Sequence, residues 1–446
     1  MPPAQPSLVP QLRLPSVVLF GVAYMAPMVV LTTFGIVAAA SAGTTPTAYV
    51  LATVAMLFTA LSYGKMARAF PVSGSAYTYV RKLVDSRAGF LVGWAILLDY
   101  FFLPMVIWLI GASFLQAQFP SVPFWIWVVG QILVTTGINV LGVRLADVAN
   151  YLLMAFTMLV LVAFVVLSLQ HGDGGSATAP LWNSATTIGG IASGAAIAAY
   201  SFLGFDAVTT LTEETHDPTR TIPRAIVLTA LTGGLIFIVV GYVTQLVHPG
   251  GTFVDESSAA FDIATRIGGD LFASLLVAGV VIGGIASGLA AQSSVSRLMY
   301  AMGRDGVLPR RVFGYLHPRF RTPVVNLALS GVVGLLALEF SLSTSTSFIN
   351  FGAFTAFTMV NVCVLSHFLG QRRAGESLDP LTFVVVPLVG AAVNVWLLTR
   401  LDGHALWLGL SWLGLGVVWL LVLTRGLRVA PPELRLEETP RAEVPV

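Results

Sequence analysis

Charged side chains are scarce in this chain of 446 residues, of which they make up 10%. Soluble domains carry about 25% charged residues, because a folded surface in water needs them. Hydrophobic residues reach 56% and the mean hydropathy is +0.85, so the composition indicates an integral membrane protein. Cysteine is nearly missing as well, and the single Cys363 excludes an internal disulfide framework.

Several motifs that carry chemistry are also missing from the sequence. No G-x-x-x-x-G-K-[ST] phosphate loop occurs, which argues against ATP-driven transport by this chain alone. No Ser/His/Asp grouping indicates hydrolysis, and no basic–aromatic patch indicates nucleic-acid binding. The six histidines lack metal-ligand spacing. We therefore expect no enzymatic activity, no metal and no cofactor.

Long apolar runs are what the sequence has in abundance. A membrane-spanning helix needs about 20 mainly apolar residues. Reading the chain for such runs predicts an all-α membrane protein with 12 transmembrane helices. The predicted spans lie near residues 16–40, 46–68, 89–116, 123–141, 149–170, 187–212, 224–247, 270–300, 323–341, 346–369, 381–400 and 404–425.

The positive charges support this count, because cytoplasmic loops carry an excess of Lys and Arg. If both termini are cytoplasmic, Arg266 and Arg400 are the two exceptions among the 23 Lys and Arg residues. We expect a multi-pass protein of the cell membrane with residues 1–14 as a cytoplasmic tail. Residues 15–425 then form a single transmembrane domain, and residues 426–446, rich in Pro, Glu and Arg, form a disordered cytoplasmic tail.

Two of the predicted spans contain signals that interrupt a helix. The first has Gly21 followed by Met25–Pro27, and proline removes a backbone donor and clashes with the preceding turn. The sixth has Gly204 next to Asp206, a carboxylate that is costly in hydrocarbon and therefore marks a functional site by default. Breaks at corresponding places in two five-helix halves are typical of an inverted-repeat transporter. The repeats would cover about residues 15–170 and 187–369.

Three stretches resemble signature motifs of the amino acid–polyamine–organocation superfamily. The first joins Gly204-Phe205-Asp206 to Glu213-Glu214, Pro218 and Pro223–Ile226. The second is Phe70–Tyr77, and the third runs from Ser296–Leu298 through Ala301–Gly306 to Pro309. The resemblance covers nearly the whole chain. It implies a LeuT-like five-plus-five inverted repeat with two added helices, about 381–425, and transport driven by an ion or proton gradient.

Within that superfamily the chain looks most like bacterial putrescine importers, through Gly93-Trp94 with Leu97–Tyr100, Ser201–Glu214 and Met302–Pro309. The resemblance implies proton-coupled import (symport) of putrescine or a related polyamine across the inner membrane. A permease or exchanger for amino acids or small amines is the alternative. A channel or a non-transporting sensor is a further alternative, although no filter loop is visible.

A diamine needs carboxylates, carbonyls and aromatic faces, and two acids lie well inside predicted spans. These are Asp99 and Asp206, and aromatic neighbours could add cation–π contacts of about 0.5–2 kcal/mol each. Related amino-acid carriers hold the substrate carboxylate on free N–H groups of the first break, where Pro27 offers none. The predicted substrate-binding residues are Tyr24, Met25, Ala26, Pro27, Asp99, Tyr100, Ser201, Phe202, Gly204, Phe205 and Asp206.

The expected coupling ion follows from the same resemblance, whereas the inner gate is inferred from residues at the inner ends of the predicted helices six and eight. An acid at the Asp99 position is associated with proton coupling in relatives, and Asp206 is the second candidate. Many relatives carry a lysine in helix five that takes the place of a sodium ion, near Thr157 here. This helix has no lysine, so a sodium ion bound near Thr157 is the alternative coupling ion. Glu213, Glu214 and Arg297 are the predicted cytoplasmic gate.

Overall fold

The computed structural model describes residues 12–71, 75–141, 147–172, 176–304, 308–318, 320 and 322–431. Within these residues the secondary structure is helical, apart from an isolated β-bridge between Leu12 and Thr215. The predicted terminal tails lie largely outside the described residues. The all-α prediction is confirmed for the part of the chain that is described.

The N-terminal part begins with a helix in three pieces and continues with five more helices. The pieces are α1 (Leu14–Tyr24), α2 (Val29–Thr32) and α3 (Phe34–Ala40). The others are α4 (Thr45–Ala69), α5 (Ser75–Leu83), α6 (Ser86–Gln118), α7 (Phe124–Leu141) and α8 (Asp147–Gln170). The short α5 is amphipathic and joins the two long helices α4 and α6.

The C-terminal part also begins with a helix that is interrupted. It comprises α9 (Ile188–Ala198) and two 3₁₀ segments, Ala199–Phe202 and Asp206–Glu214. There follow α10 (Pro218–Val247), α11 (Ala259–Arg304), α12 (Arg310–Phe313) and α13 (Val324–Gly334) with a 3₁₀ turn at Leu335–Leu338. The last are α14 (Leu342–Arg373), α15 (Val386–Leu398), preceded by a π-turn at Leu381–Val385, and α16 (Gly403–Leu423).

Ten of the described helical segments are long and apolar enough to cross a membrane. Two further apolar helices, Ala155–Gln170 and Val324–Leu338, are shorter, and they coincide with the predicted fifth and ninth spans. The multi-pass membrane architecture is therefore shown, while the twelve-span repeat layout stays a prediction.

The first helix leaves the α-helical conformation at the predicted break. α1 ends at Tyr24, and Ala26 adopts φ +47°, the left-handed region that L-residues rarely occupy. Pro27 follows and has no N–H, so the helical hydrogen-bond ladder cannot continue through it. The chain resumes helically when the Val29 N–H donates to the Ala26 carbonyl at 2.8 Å.

The sixth predicted span is broken at Gly204, which has φ +108°. The chain tightens from α-helix to 3₁₀ geometry before the break, and the Leu203 N–H donates to the Tyr200 carbonyl at 3.1 Å. A Cβ on residue 204 would overlap the ring of Tyr24, so glycine is required both by the backbone and by this close approach. The two breaks therefore meet in space.

Helices in the bundle centre approach closely through small residues, as is usual where lipid removes the hydrophobic drive for helix association. α4 packs along α10, and α6 packs along α11 and α14. Gly352 of α14 lies against the Ala95 carbonyl of α6, where a Cβ would not fit. This contact brings α14 next to the part of α6 that carries Asp99.

Buried polar side chains tie the same helices together. The Ser62 hydroxyl of α4 donates to Asn361 of α14 at 2.6 Å, and Asn394 of α15 donates to Thr59 of α4 at 2.8 Å. Between α6 and α16, Trp94 and Trp412 stack with ring centroids 5.0 Å apart, and each indole N–H donates to the other residue's carbonyl at 2.8–2.9 Å. These bonds fix α15 and α16 onto the bundle.

Candidate functional site

A small cavity lies beside the break of the second interrupted helix. It has room for about one water molecule. Side chains from α4, α6, α14 and the 3₁₀ segment Asp206–Glu214 form its walls. The lining residues are Tyr63, Ile96, Asp99, Tyr100, Asp206, Ala353, Ala356 and Phe357. Three predicted site residues line this cavity, because the fold brings Asp206 next to Asp99 and Tyr100, which lie more than a hundred residues earlier in the chain.

Asp99 reaches the cavity from the middle of α6. Its Oδ1 atom is buried and has no hydrogen-bond partner among the described residues. Pro104, one turn further along α6, has no N–H to donate to the Tyr100 carbonyl. The wall formed by α6 therefore carries an unpaired carboxylate oxygen, and the Tyr100 carbonyl lacks its helical donor at residue 104, so this part of α6 has oxygen acceptors suited to a cation.

Asp206 enters the cavity at the first residue of a 3₁₀ segment. Its carboxylate is hydrogen-bonded to backbone groups at Gly204, Asp206 and Ala207. The free N–H groups at a helix start carry partial positive charge, which favours an anionic side chain there. Backbone groups thus already compensate the charge of Asp206 in part, whereas the buried Oδ1 of Asp99 has no such partner among the described residues.

Tyr24 connects the two breaks and lies close to both acids. Its ring packs over Gly204, and the charges of Asp99 and Asp206 both act on its phenol. Tyr24 itself is the last residue of α1. An aromatic face and a hydroxyl are therefore held next to the two carboxylates by the meeting of the broken helices.

Ser201 and Phe202 face away from the cavity. The Ser201 hydroxyl is hydrogen-bonded to the Tyr49 hydroxyl at 3.0 Å, and Tyr49 in turn contacts Thr33 of the first broken helix at 3.1 Å. The Phe202 ring is fully buried against Phe237 of α10, with centroids 5.3 Å apart. Both residues therefore anchor the interrupted helix to α4 and α10.

The break at Gly204 does not free the backbone carbonyl of Phe202. The Phe205 N–H donates to the Phe202 carbonyl at 3.3 Å, because the chain turns back through Gly204 instead of opening fully. Phe205 is buried behind the cavity wall, with its ring against the lining residues Tyr63 and Phe357. Its contribution to the site is to support those two rings.

The Met25–Pro27 segment lies at the first break, outside the set of residues that line the cavity. Met25 is 3% exposed, and its side chain lies against Gly233 of α10. Ala26 and Pro27 supply the turn that lets Tyr24 reach Gly204. Ala26 and Pro27 are therefore connected to the site only indirectly, because they position Tyr24.

Five of the lining residues were missed by the sequence reasoning. Tyr63 of α4 and Ile96 of α6 are two of them, and the others are Ala353, Ala356 and Phe357 of α14. Ile96 precedes Asp99 by one helical turn, so its position could have been inferred. Nothing in the sequence distinguished Tyr63 or Phe357 from aromatic residues that face lipid.

The predicted gate falls on side chains outside the described set. For Glu213, Glu214 and Arg297 the structure describes the backbone, which places the two glutamates at the end of the 3₁₀ segment and Arg297 in α11. Nearby, the exposed Arg220 lies 3.8 Å from Asp217. The gate therefore stays a prediction.

Comparison with known proteins finds a family model and relatives that match most of this chain. The family model for amino acid permeases matches residues 16–399, which is most of the chain. The chain is a member of the amino acid permease family. The permease is therefore a membrane transport protein and not an enzyme.

Individual relatives differ in their stated substrates. The permease is 40% identical to the low-affinity putrescine importer PlaP of Escherichia coli (strain K12) over 434 residues, 95% of each chain. It is 26% identical to the methylthioribose transporter of Bacillus subtilis (strain 168), covering 87% of this chain and 86% of that one. It is 24% identical to the branched-chain amino acid permease BcaP of the same organism, covering 83% of both.

Proposed function

We propose that this permease imports putrescine or a closely related polyamine. The observation that carries the proposal is the pair of acids, Asp99 and Asp206, on one cavity next to the meeting point of two broken helices. The 40% identity to a putrescine importer along 95% of both chains supports the same substrate class.

The chemistry of the cavity fits an ammonium group better than a carboxylate. A primary ammonium brings three N–H donors and no acceptor, and it needs oxygen atoms and π-faces around it. The cavity offers Oδ1 of Asp99, the Asp206 carboxylate, and the rings of Tyr63, Tyr100 and Phe357. An ammonium also neutralises charge that would be costly to keep buried.

In this proposal the small size of the cavity requires the protein to alternate between a closed and a more open arrangement. Space for about one water molecule cannot hold a diamine, so the substrate must bind to a more open arrangement of the same residues. We assign the opening to movements of the broken helices within twelve spans arranged as a five-plus-five inverted repeat with two added helices. Both termini are cytoplasmic in this layout.

Proton coupling is assigned to Asp99. An acid that is protonated when the site is empty and ionised when an ammonium occupies it couples the two cations, because each neutralises the same buried charge. Asp206 is the second candidate. A sodium ion near Thr157 of α8 is the competing coupling ion, and replacing sodium by choline in the uptake buffer separates the two.

The substrate assignment is tested by uptake of labelled putrescine into cells that lack other putrescine carriers. Uptake is competed with spermidine, arginine, alanine and methylthioribose. Spermidine should compete, whereas alanine should compete poorly because Pro27 offers no N–H for a carboxylate. Strong competition by alanine at putrescine-like concentrations would instead establish the alternative, an amino acid or small amine permease or exchanger.

A further inference from the structure

Tyr79, on the short helix α5, carries a buried hydroxyl group that forms no hydrogen bond within the described residues. Its ring is 0% exposed, and the hydroxyl has no hydrogen-bond partner among the described residues. A buried donor left unpaired destabilises a fold, whereas phenylalanine would fill the same volume without that cost. Packing alone therefore does not account for a tyrosine at this position.

The ring that carries this hydroxyl packs against a residue in the wall of the cavity. The Tyr79 ring meets the Tyr63 ring edge-to-face at 6.4 Å between centroids, and Tyr63 lines the cavity. Burial, and then the charge of Asp206, raise the pKa of the Tyr79 phenol above its ordinary value. The phenol is therefore neutral and keeps both an O–H donor and lone pairs within electrostatic range of the site.

Tyr63 is the centre of the aromatic layer between the cavity and α5. Its ring makes edge-to-face contacts with Phe205 at 5.8 Å and with Phe357 at 5.9 Å, besides the contact with Tyr79. α5 carries Arg81 and Lys82, which the positive-inside rule assigns to the cytoplasmic side. Tyr63 therefore stands between the cavity and the Tyr79 ring of α5, on the side that this rule assigns to the cytoplasm.

We propose that Tyr63 is the movable barrier on the release path and that the Tyr79 hydroxyl is a transient subsite for the departing ammonium group. The inference rests on the proposed function and extends it from binding to release. When the Tyr63 ring swings aside, a lone pair of the Tyr79 hydroxyl accepts a bond from the ammonium and shortens the distance that the cation travels unsolvated. The unpaired state of the hydroxyl in the closed arrangement is what keeps it available.

The test is Tyr79→Phe, which keeps the ring and removes the oxygen. Purified protein is assayed for equilibrium putrescine binding and thermal stability, and proteoliposomes are assayed for the maximal rate of putrescine uptake. We expect a Kd within about twofold of wild type and a maximal rate reduced about fivefold or more, since the subsite acts after binding. Tyr315→Phe, at an exposed position, is the matched control and should match wild type in both.

The possible outcomes separate the release role of Tyr79 from the proposed import of putrescine. Increased thermal stability with an unchanged maximal rate would show that the hydroxyl is a structural defect and overturn the subsite, leaving putrescine import standing. Loss of binding in Tyr79→Phe would place the hydroxyl in the binding site itself and also overturn a release role. Failure of wild-type protein to bind putrescine would overturn the proposed function and this inference together.

Discussion

At the scale of single residues, the two acids of the cavity differ in how the protein compensates their charge. Backbone groups at the start of a 3₁₀ segment already bond the Asp206 carboxylate. Asp99 leaves Oδ1 without a partner among the described residues. The less compensated acid gains more from an ammonium or a proton, so Asp99 is suited to coupling and Asp206 to holding the cation in position.

Asp99→Asn should therefore reduce proton-driven putrescine uptake at least about tenfold, equivalent to ~1.4 kcal/mol of lost coupling or binding. The amide keeps the size of the side chain and removes the charge. Uptake is measured at several external pH values. The control is Asp270→Asn, which removes the charge of an exposed acid and should behave as wild type. Wild-type uptake with an unchanged pH response would remove Asp99 from the mechanism.

Asp206→Asn should insert and fold, because it removes a costly buried charge. It should bind putrescine about tenfold more weakly, ~1.4 kcal/mol, since an amide cannot neutralise an ammonium, and Asp206→Glu should retain part of the affinity. The measurement is equilibrium binding to purified protein with a normal size-exclusion profile. An affinity equal to wild type in the Asn variant would make Asp206 structural.

Gly204→Ala should disturb both stability and transport. Alanine at φ +108° is strained by about 1–3 kcal/mol, and its Cβ would overlap the Tyr24 ring. We expect a lower unfolding temperature and loss of uptake. Gly130→Ala, where an added Cβ meets nothing within 4 Å, is the control that should behave as wild type. Normal stability and uptake in Gly204→Ala would contradict the close packing of the two breaks.

At the scale of elements, the first broken helix is held by its surroundings and not by a favourable local conformation. Ala26 occupies the left-handed region without being glycine. The Thr33–Tyr49–Ser201 hydrogen-bond chain joins both broken helices to α4. Tertiary contacts of this kind can maintain a break that local propensity opposes.

Ala26→Gly should therefore stabilise the break. A left-handed alanine costs about 1–2 kcal/mol, and glycine removes that cost while adding about 0.5–1 kcal/mol of unfolded-state entropy. The net expectation is a gain of up to ~1.5 kcal/mol, seen as a higher thermal midpoint of the purified protein. A clear fall in the midpoint would show that residue 26 does not occupy the left-handed region.

At the scale of the whole molecule, orientation in the membrane can be tested with the single cysteine removed. Cys363 is buried, so Cys363→Ala provides a background without reactive thiols. Cysteine placed at exposed Arg400 should react with a membrane-impermeant maleimide on intact cells, and cysteine placed at exposed Arg372 should react only after permeabilisation. The reverse labelling pattern would place both termini outside.

The sequence alone determined the features that have local or compositional causes. Scarce charge and long continuous apolar runs are sufficient to indicate a helical membrane protein, because a helix satisfies all backbone hydrogen bonds within one such run, as lipid requires. Both breaks were found at Met25–Pro27 and Gly204, because proline and glycine act on the backbone at their own positions. The acids Asp99 and Asp206 were found because buried charge is rare in such helices.

Only the tertiary structure decided which sides of these helices face the cavity. A helix that is apolar all round gives no periodic signal for its inner face, so Ser201 and Phe202 could not be told from residues that line the site. Tyr63 and Phe357 meet across almost three hundred residues of chain through the packing of α4, α14 and the second break. Such contacts depend on the fit of small residues between helices, which local sequence does not encode.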